Sequence, residues 1–243
     1  MIKKGVILAG GKATRLFPLT KYINKHLLPI YNKPMIYRSI LFLKELGINE
    51  ILIICNLKDL KGFEIVKNQF KELKINLKIQ KKANGIAEGI KLCKNFIQKD
   101  NKYLFLLGDN LLISKNYDKL KNEINKENYN CTLFTYSVEN PSEFGVITKN
   151  IKNKGIIVEK PKKKISNKAV IGLYIYDQNS FKLIKKIKPS HRNELEITDI
   201  NNYYLKNFNT KIIDLNKKNY KWFDIGSFDS LIEASIYIKK KNI

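Results

Sequence analysis

Gly5-Val6-Ile7-Leu8-Ala9 runs straight into Gly10-Gly11-Lys12-Ala13-Thr14-Arg15. The first five residues are a strand-sized apolar run, and the paired glycines end it in a tight turn. A glycine-rich turn after a first buried strand presents backbone N–H groups to an anion, phosphate above all. Two familiar phosphate loops do not fit. A P-loop ends in Gly-Lys-Ser/Thr, whereas Lys12 is followed by Ala13. A dinucleotide loop needs glycines that Lys12-Ala13-Thr14-Arg15 lacks. What remains is a nest of N–H groups with the Thr14 hydroxyl and the Arg15 fork beyond it. That set suits a polyphosphate, because Arg15 can hold two oxygens at once. The plainer alternative is a strand-to-helix turn with Arg15 in solvent.

The rest of the chain continues the pattern. Pro34 opens a predicted helix whose stripe includes Ile36, Ile40 and Leu43, and Gly47 ends it. After a first strand at 5–9, strands are predicted at 51–55, 76–80 and 103–107, with helices at 59–73 and 85–97. This alternation argues for a doubly wound α/β fold with a mostly parallel sheet. The second half is less regular. Strands are predicted at 131–138, 145–148, 155–159, 169–176 and 210–215, and helices at 180–186 and 197–206. Ser227 caps a final helix carrying Leu231, Ile232, Ala234 and Ile238 as its apolar side. No repeat or low-complexity linker interrupts the chain, so one domain over 1–243 is expected.

Composition narrows the partners. The longest apolar runs, such as Ile51-Leu52-Ile53-Ile54-Cys55, are far too short to span a bilayer. The chain enters a strand within a few residues, and no signal peptide is expected. Cys55, Cys93 and Cys131 are odd in number and sit in apolar settings, which reads as buried thiols in a reducing, cytoplasmic compartment. His26 and His191 are far apart, so no zinc set is expected. The formal net charge is +24, but among 46 basic residues only Arg15, Arg38 and Arg192 are arginine. Base-reading surfaces rely on arginine forks, so the bias reads as scattered solvated lysine and no nucleic-acid partner is expected. A field of this sign would still draw in an anionic small substrate.

Further motifs follow in order: LAGGKATRLFPLT (8–20), NKHLLPIYNKPMIY (24–37), LGDN (107–110), FGV (144–146), VEKP (158–161), GLYIYD (172–177), ELEITD (194–199) and WFDIGS (222–227). Together, across essentially the whole chain, they resemble sugar-1-phosphate nucleotidyltransferases, most closely the glucose-1-phosphate thymidylyltransferases. The resemblance implies a Rossmann-like core with inserted sugar-binding strands. Its nucleotide-binding half would be about 1–130 and its sugar-binding half about 131–243. It implies an enzyme of nucleotide-sugar and polysaccharide synthesis. Such an enzyme couples a nucleoside triphosphate to a sugar 1-phosphate, releases pyrophosphate and uses Mg2+. The first choice of substrates is dTTP and glucose 1-phosphate. The alternatives are UTP or CTP with another phosphorylated acceptor, or a catalytically silent homologue that binds sugar nucleotides. No membrane partner is expected, and a homo-oligomer is left open.

The chemistry asks little of a general base, because a sugar 1-phosphate is already an anionic nucleophile. Two anions must meet, and charge builds on the departing pyrophosphate. The protein must supply cations, N–H donors and in-line positioning. By the resemblance, Arg15 holds the triphosphate and the departing pyrophosphate, Lys25 lies near the reacting phosphates, and Asp109 completes the catalytic set. Leu8, Gly10, Gly11, Thr14, Gln80 and Gly85 join Arg15 around the nucleotide, with Gln80 and Gly85 at the pyrimidine edge. Asn110, Gly145, Glu159, Lys160 and Ile171 belong to the sugar-phosphate side. Asp109 also stands at the carboxyl end of a strand, where open α/β sheets bind ligands and where a carboxylate suits Mg2+. Asp224 is the matching second metal carboxylate. Lys160 precedes Pro161, which predicts an extended Lys160. Glu159 and Lys160 would then diverge unless the end of the strand is irregular.

Three residues depart from the pattern. Ala13 stands where a second loop glycine is usual, and it is strained if that position needs positive φ. Glu88 replaces a more usual glutamine, and Ile171 a small polar residue, which leaves base and sugar open. The longer thymidylyltransferases continue past the last helix with a helical extension that helps form an effector site between subunits. That feedback site is expected to be missing or altered here.

Overall fold

The computed structural model describes residues 1–11, 13–81, 84–98, 100, 102–126, 128–149, 155–190, 194–218 and 220–242. Lys12, His191 and Arg192 lie outside the described residues. In chain order the elements are β1 (Lys4–Leu8), β2 (Pro29–Ile30), β3 (Lys33–Pro34), α1 (Met35–Glu45), β4 (Glu50–Asn56), α2 (Leu60–Gln69), β5 (Lys74–Gln80), α3 (Glu88–Ile97), β6 (Lys102–Leu107), β7 (Asn110–Ile113), α4 (Asp118–Lys126), β8 (Cys131–Ser137), β9 (Gly145–Lys149), β10 (Gly155–Glu159), β11 (Lys168–Asp177), α5 (Ser180–Leu183), α6 (Ile197–Asn207), β12 (Thr210–Asp214), β13 (Lys221–Asp224) and α7 (Phe228–Lys241). The fold is α/β, as expected. The chain divides into two compact units, neither of them continuous. The first comprises Met1–Ala83, Leu106–Asn125 and Lys221–Ile243, the second Asn84–Phe105 and Lys126–Tyr220. Residues 84–105 belong to the second unit, although they precede the division expected near 130.

In the first unit β1 pairs parallel with β4, and β4 parallel with β5. Val6, Ile7 and Ile51 to Cys55 are all buried, as strands covered on both faces must be. Ile36, Ile40 and Leu43 bury the stripe of α1 completely. Gly47 stops that helix with φ 83, and its N–H donates to the Lys44 carbonyl at 2.8 Å. A separate antiparallel ribbon joins β7 to β13, with Asn110 opposite Asp224, Leu111 opposite Phe223 and Leu112 opposite Trp222. Strand side chains alternate between faces. Leu111, Ile113, Phe223 and Ile225 therefore share one apolar cluster with Ile30, Met35, Ala234 and Ile238. Asn110 and Asp224 share the opposite face.

In the second unit β11 pairs antiparallel with β8 and β9, β9 antiparallel with β10, and β12 parallel with β8. The β8–β11 register shifts between Val170 and Tyr174. From α6, Asn202 bonds both backbone groups of Ile157 in β10, each at 2.8 Å. Tyr103, Tyr176 and Tyr204 are fully buried, and Tyr204 donates to Asp177 at 2.7 Å.

Several elements differ from expectation. The helix predicted over 59–73 is a 3-10 turn, Leu57–Asp59, followed by the shorter α2. The helix predicted from residue 85 begins at Glu88, because Gly85 has φ 103, outside the helical region. The ribbon β7–β13, the short pair β2–β3 and helix α4 were not expected. Ile232, assigned to the apolar side of α7, is 56% exposed, whereas Ala234 and Ile238 are buried. Cys55, Cys93 and Cys131 are free and buried, and burial raises all three thiol pKa values, that of Cys55 to about 11 and that of Cys93 to about 12. Among the described residues no helix is long and apolar enough to cross a membrane.

Ser227 and Ser230 form a capping box at the start of α7. Ser227→Ala should lower stability by about 1 kcal/mol, or about 2–4 °C in Tm, on losing that cap. Thermal melting of the two proteins measures it, and an unchanged Tm would mean the cap contributes nothing.

Candidate active site

The opening loop leaves β1 at Leu8 and turns through two left-handed residues, Gly11 at φ 96 and Ala13 at φ 48. The position expected to strain alanine does so, at a cost of about 1–3 kcal/mol for a non-glycine residue held there. Tertiary bonds hold the turn. The buried Thr20 donates its hydroxyl to the Ala13 carbonyl at 2.7 Å, and Leu16 donates its N–H to the same oxygen at 3.1 Å. The 3-10 turn Thr14–Leu16 that follows leaves Arg15 exposed. The Arg15 guanidinium lies over Gly226, where a Cβ would stand 2.5 Å from Nη2 and 2.9 Å from Cζ. A side chain at 226 would push the guanidinium aside, so the first and last motifs of the chain meet at Arg15.

A second tie holds the loop from behind. Asp59 accepts from Asn24 at 2.8 Å and from Asn56 at 2.9 Å. Asn24 also donates to the Ala9 carbonyl at 3.1 Å, and Asn56 to the Gly11 carbonyl at 3.2 Å. The Asn24 side chain meanwhile caps the 3-10 turn Lys25–Leu27 by accepting from the His26 N–H at 2.9 Å. One carboxylate thus links the glycine turn, the end of β4 and the segment bearing Lys25. Gln80, 5% exposed at the end of β5, reaches over Gly10.

The charged centre of the first unit is built around Asn110. Lys25 forms an ion pair with Asp109, and both side chains are largely shielded. The buried Asn110 accepts from the Trp222 indole N–H at 3.0 Å. Its amide donates to Asp109 at 3.2 Å and to Asp224 at 3.3 Å. The ribbon register brings Asn110 and Asp224 together across 114 residues of chain. Burial alone would raise the Asp109 pKa. The Lys25 charge and the hydrogen bonds from Lys25 and Asn110 overcome it and hold the carboxyl below its usual range. His26 is driven the other way. Burial first, and the Lys25 charge second, lower its pKa to about 3, so it is neutral at physiological pH.

The second unit gathers other expected residues. Glu159 ends β10 opposite Gly145 of β9 and accepts from Thr198 at 2.6 Å. A Cβ on Gly145 would fall 2.9 Å from the Glu159 carboxylate, so the glycine makes room for it. Lys160 is not extended as expected: its φ is 43. Its N–H donates to the Phe144 carbonyl at 3.0 Å, continuing the pairing one residue past β10, and the chain then turns at the buried Pro161. That left-handed residue is the irregularity which frees Lys160 from strict alternation with Glu159. Ile171 is buried within the shifted register of β11. Gly85 lies against the Leu195 backbone, where a Cβ would come within 2.6 Å of the nitrogen and the oxygen. Glu88 accepts from the Asn84 N–H at 3.2 Å and faces its own helix N-terminus, a favourable place for negative charge.

Residues 4–241 match the model of the family described as nucleotidyl transferase. The chain belongs to the nucleotidyl transferase family. It is 36% identical over 239 residues to a glucose-1-phosphate thymidylyltransferase of Neisseria meningitidis, covering 97% of this chain and 82% of the relative. It is 34% identical to the enzyme of that name from Mycobacterium tuberculosis, with the same coverage. A structure from Bacillus anthracis, assigned as a glucose-1-phosphate thymidylyltransferase in complex with sucrose, aligns with TM-score 0.85 and 37% identity over 97% of this chain and 94% of that one. A UDP-glucose pyrophosphorylase complexed with UDP-glucose aligns with TM-score 0.82 and 26% identity over 99% and 100%.

Within the first unit, then, the fold brings together Lys25, Asp109, Asn110 and Asp224, and Arg15 reaches Gly226, two residues beyond Asp224; Leu8, Gly10, Gly11, Thr14 and Gln80 lie on the same unit. Gly85, Gly145, Glu159, Lys160 and Ile171 fall on the second unit. Sequence reasoning passed over Asp59, Asn56, Asn24, Trp222 and Thr198 as partners. The available signal was position: Asn56 ends β4 and Asp59 follows it, at the carboxyl edge where ligands gather.

Asn110→Asp keeps the shape but replaces the shared donor with a third negative charge. Nucleotidyl transfer should fall about a hundredfold or more, the scale of losing one well-placed polar group at such a centre. Steady-state kinetics on protein of unchanged Tm test this, and near-parental turnover would remove Asn110 from the centre.

Proposed function

We propose that this protein transfers a nucleoside monophosphate from a triphosphate, dTTP first, to glucose 1-phosphate. The products are a nucleotide sugar and pyrophosphate, and the two units work as one nucleotidyltransferase domain. The sugar phosphate oxygen attacks the α-phosphorus. The bond from that phosphorus to the β-phosphate bridging oxygen breaks, and pyrophosphate leaves with the electron pair. The nucleophile arrives ionised, so no side chain has to accept a proton. The proposed work of the protein is charge and position.

Arg15 would hold triphosphate oxygens with its planar fork, steadied over Gly226. Lys25 would offset charge near the α-phosphate, aimed there by Asn24 and Asp59. Glu159 and Lys160 would bind the hydroxyls and the phosphate of the sugar. Gln80 and Gly85 would read the base. The observation that carries this reading is the pair Asp109 and Asp224 hydrogen-bonded to one buried amide. Two carboxylates on a shared donor, with phosphate to complete the shell, are a fitting donor set for Mg2+. Among the described residues no group of three or more His, Cys, Asp or Glu could hold a metal. The remaining ligands would therefore be phosphate and water oxygens. Mg2+, when bound, supplies positive charge against the phosphate oxygens. The buried free cysteines fit a cytoplasmic setting.

A second reading keeps the chemistry with UTP in place of dTTP. It is favoured by the likeness to the pyrophosphorylase complexed with UDP-glucose. A catalytically silent binder of sugar nucleotides is disfavoured by the joint presence of Arg15, Lys25, Asp109 and Asp224.

Pyrophosphate release over a grid of triphosphates and sugar phosphates tests the proposal. The dTTP and glucose 1-phosphate cell should give the highest kcat/KM. A UTP maximum would select the second reading, and no release in any cell would overturn both. Lys160→Ala separates the two substrates. It should raise KM for the sugar phosphate by about tenfold to a hundredfold, the worth of one charge-assisted contact, and leave KM for the triphosphate unchanged. Equal effects on both substrates would contradict the assignment.

A further inference from the structure

Asp59 stands at the N-cap of α2, where an aspartate ordinarily accepts from the first turn of its own helix. Here it does not, and no side-chain bond caps α2. Its Oδ2 takes two amide N–H groups instead, from Asn24 at 2.8 Å and from Asn56 at 2.9 Å. Each asparagine spends its other N–H on the turn that follows β1. Asn24 holds the Ala9 carbonyl and Asn56 the Gly11 carbonyl. With both of its N–H groups committed, Asn24 offers its oxygen to the His26 N–H at 2.9 Å and to the His26 Nδ1 at 2.8 Å. Nδ1 therefore carries the imidazole proton. Asn24 and His26 are both buried, so an amide turned the wrong way would leave buried groups unpaired.

We propose that Asp59 is a positioning residue for nucleotidyl transfer and acts through two separate arms. The Asn56 arm holds the glycine turn whose N–H groups receive the triphosphate. The Asn24 arm holds the 3-10 turn Lys25–Leu27, and with it the place of Lys25 beside Asp109. The physical reason lies in the near-symmetry of an amide. A half-turn about its last bond changes its shape little but exchanges donor for acceptor. An ionised carboxylate only accepts, so it favours one orientation and repels the other, which sets oxygen against oxygen. Asp59 thus selects, in both asparagines at once, the orientation whose nitrogen also meets a turn carbonyl. Peptide planarity carries the effect further: the Ala9 carbonyl is drawn toward Asn24, so the Gly10 N–H points the other way. A cap would act within α2 alone, whereas the partners of Asp59 lie 35 and 3 residues before it and outside that helix. The inference rests on the proposed reading that the turn receives triphosphate and Lys25 the reacting phosphate; it adds the residue that aligns them.

Calorimetric binding of dTTP and of UTP, measured beside steady-state rates, separates the arms. Asn56→Ala cuts one arm. It should raise Kd for the triphosphate about tenfold and leave kcat within about threefold of the parent. Asp59→Ala cuts both. It should raise that Kd by a similar factor and also lower kcat by about tenfold to a hundredfold, the scale of a displaced group at the reacting centre. KM for the sugar phosphate should hold in both variants. With the two alanines in one chain, Kd for the triphosphate should be no worse than with Asp59→Ala alone, since the arm is lost only once. Asp59→Asn keeps an oxygen that can accept from both asparagines and should restore most of the binding and the rate. Melting curves check that each variant folds, and Asp59→Ser, whose hydroxyl is too short to reach both amides, replaces Asp59→Ala if the latter does not. The proposal is overturned if Asp59→Ala leaves Kd and kcat unchanged or harms both substrates equally. It is equally overturned if the two alanines add in full, or if Asp59→Asn is as poor as Asp59→Ala. Triphosphate binding without turnover in the unaltered protein would overturn the proposed reaction alone, and the Kd shifts would still decide on Asp59; no triphosphate binding would overturn both.

Discussion

The side chain of Asn110 is the point on which the first unit's charged centre turns. A primary amide has one acceptor and two N–H donors. Here the oxygen takes the Trp222 indole N–H, and the nitrogen donates to Asp109 and to Asp224. Two carboxylates close together repel, and a buried pair is tolerated only when hydrogen bonds and a cation oppose that repulsion. Asn110 supplies the bonds and Lys25 the cation. What places Asn110 is hydrophobic. The ribbon β7–β13 turns Leu111, Ile113 and Phe223 into the cluster that also receives Ala234 and Ile238 from α7. Alternation along the ribbon then obliges Asn110 and Asp224 to share the other face.

Much of this was legible in the sequence, and the parts that were not share a physical cause. The buried strands β1, β4 and β6 announced themselves as apolar runs, α1 by Pro34 and its stripe, and α7 by its serine cap. Arg15, Lys25, Asp109 and Asp224 all fall on one unit. The pairing that gathers them was not readable, because it joins segments 114 residues apart and neither strand exceeds four residues. Helix α4 went unread because only Leu120 and Ile124 mark its buried side. Ile232 was misassigned because its neighbours Leu231 and Ala234 do face the core, and a helix with apolar residues on two sides does not say which is buried. Lys160 defied the expectation drawn from Pro161 because pairing persists to the Phe144 carbonyl and forces the turn onto Lys160 itself.

The lysine bias also takes on a clearer meaning. Most of the cationic charge is spread over exposed side chains, where individual pairs contribute little. Lys25 differs through burial beside Asp109, in a segment pinned by Asn24 and Asp59. Position rather than abundance distinguishes the lysine proposed to meet phosphate. The strained Ala13 likewise depends on tertiary restraint: Thr20 holds a conformation that alanine would not choose.

If Asp109 and Asp224 serve one Mg2+ ion through their common donor, they must act as a unit. A double-mutant cycle reads this: Asp109→Asn, Asp224→Asn and the double variant, each assayed for kcat/KM across a Mg2+ titration. Groups that share one task lose it together, so the double variant should be little worse than the poorer single one. Losses that add in full would mean that the two carboxylates act independently, and the shared metal centre built on Asn110 would be wrong.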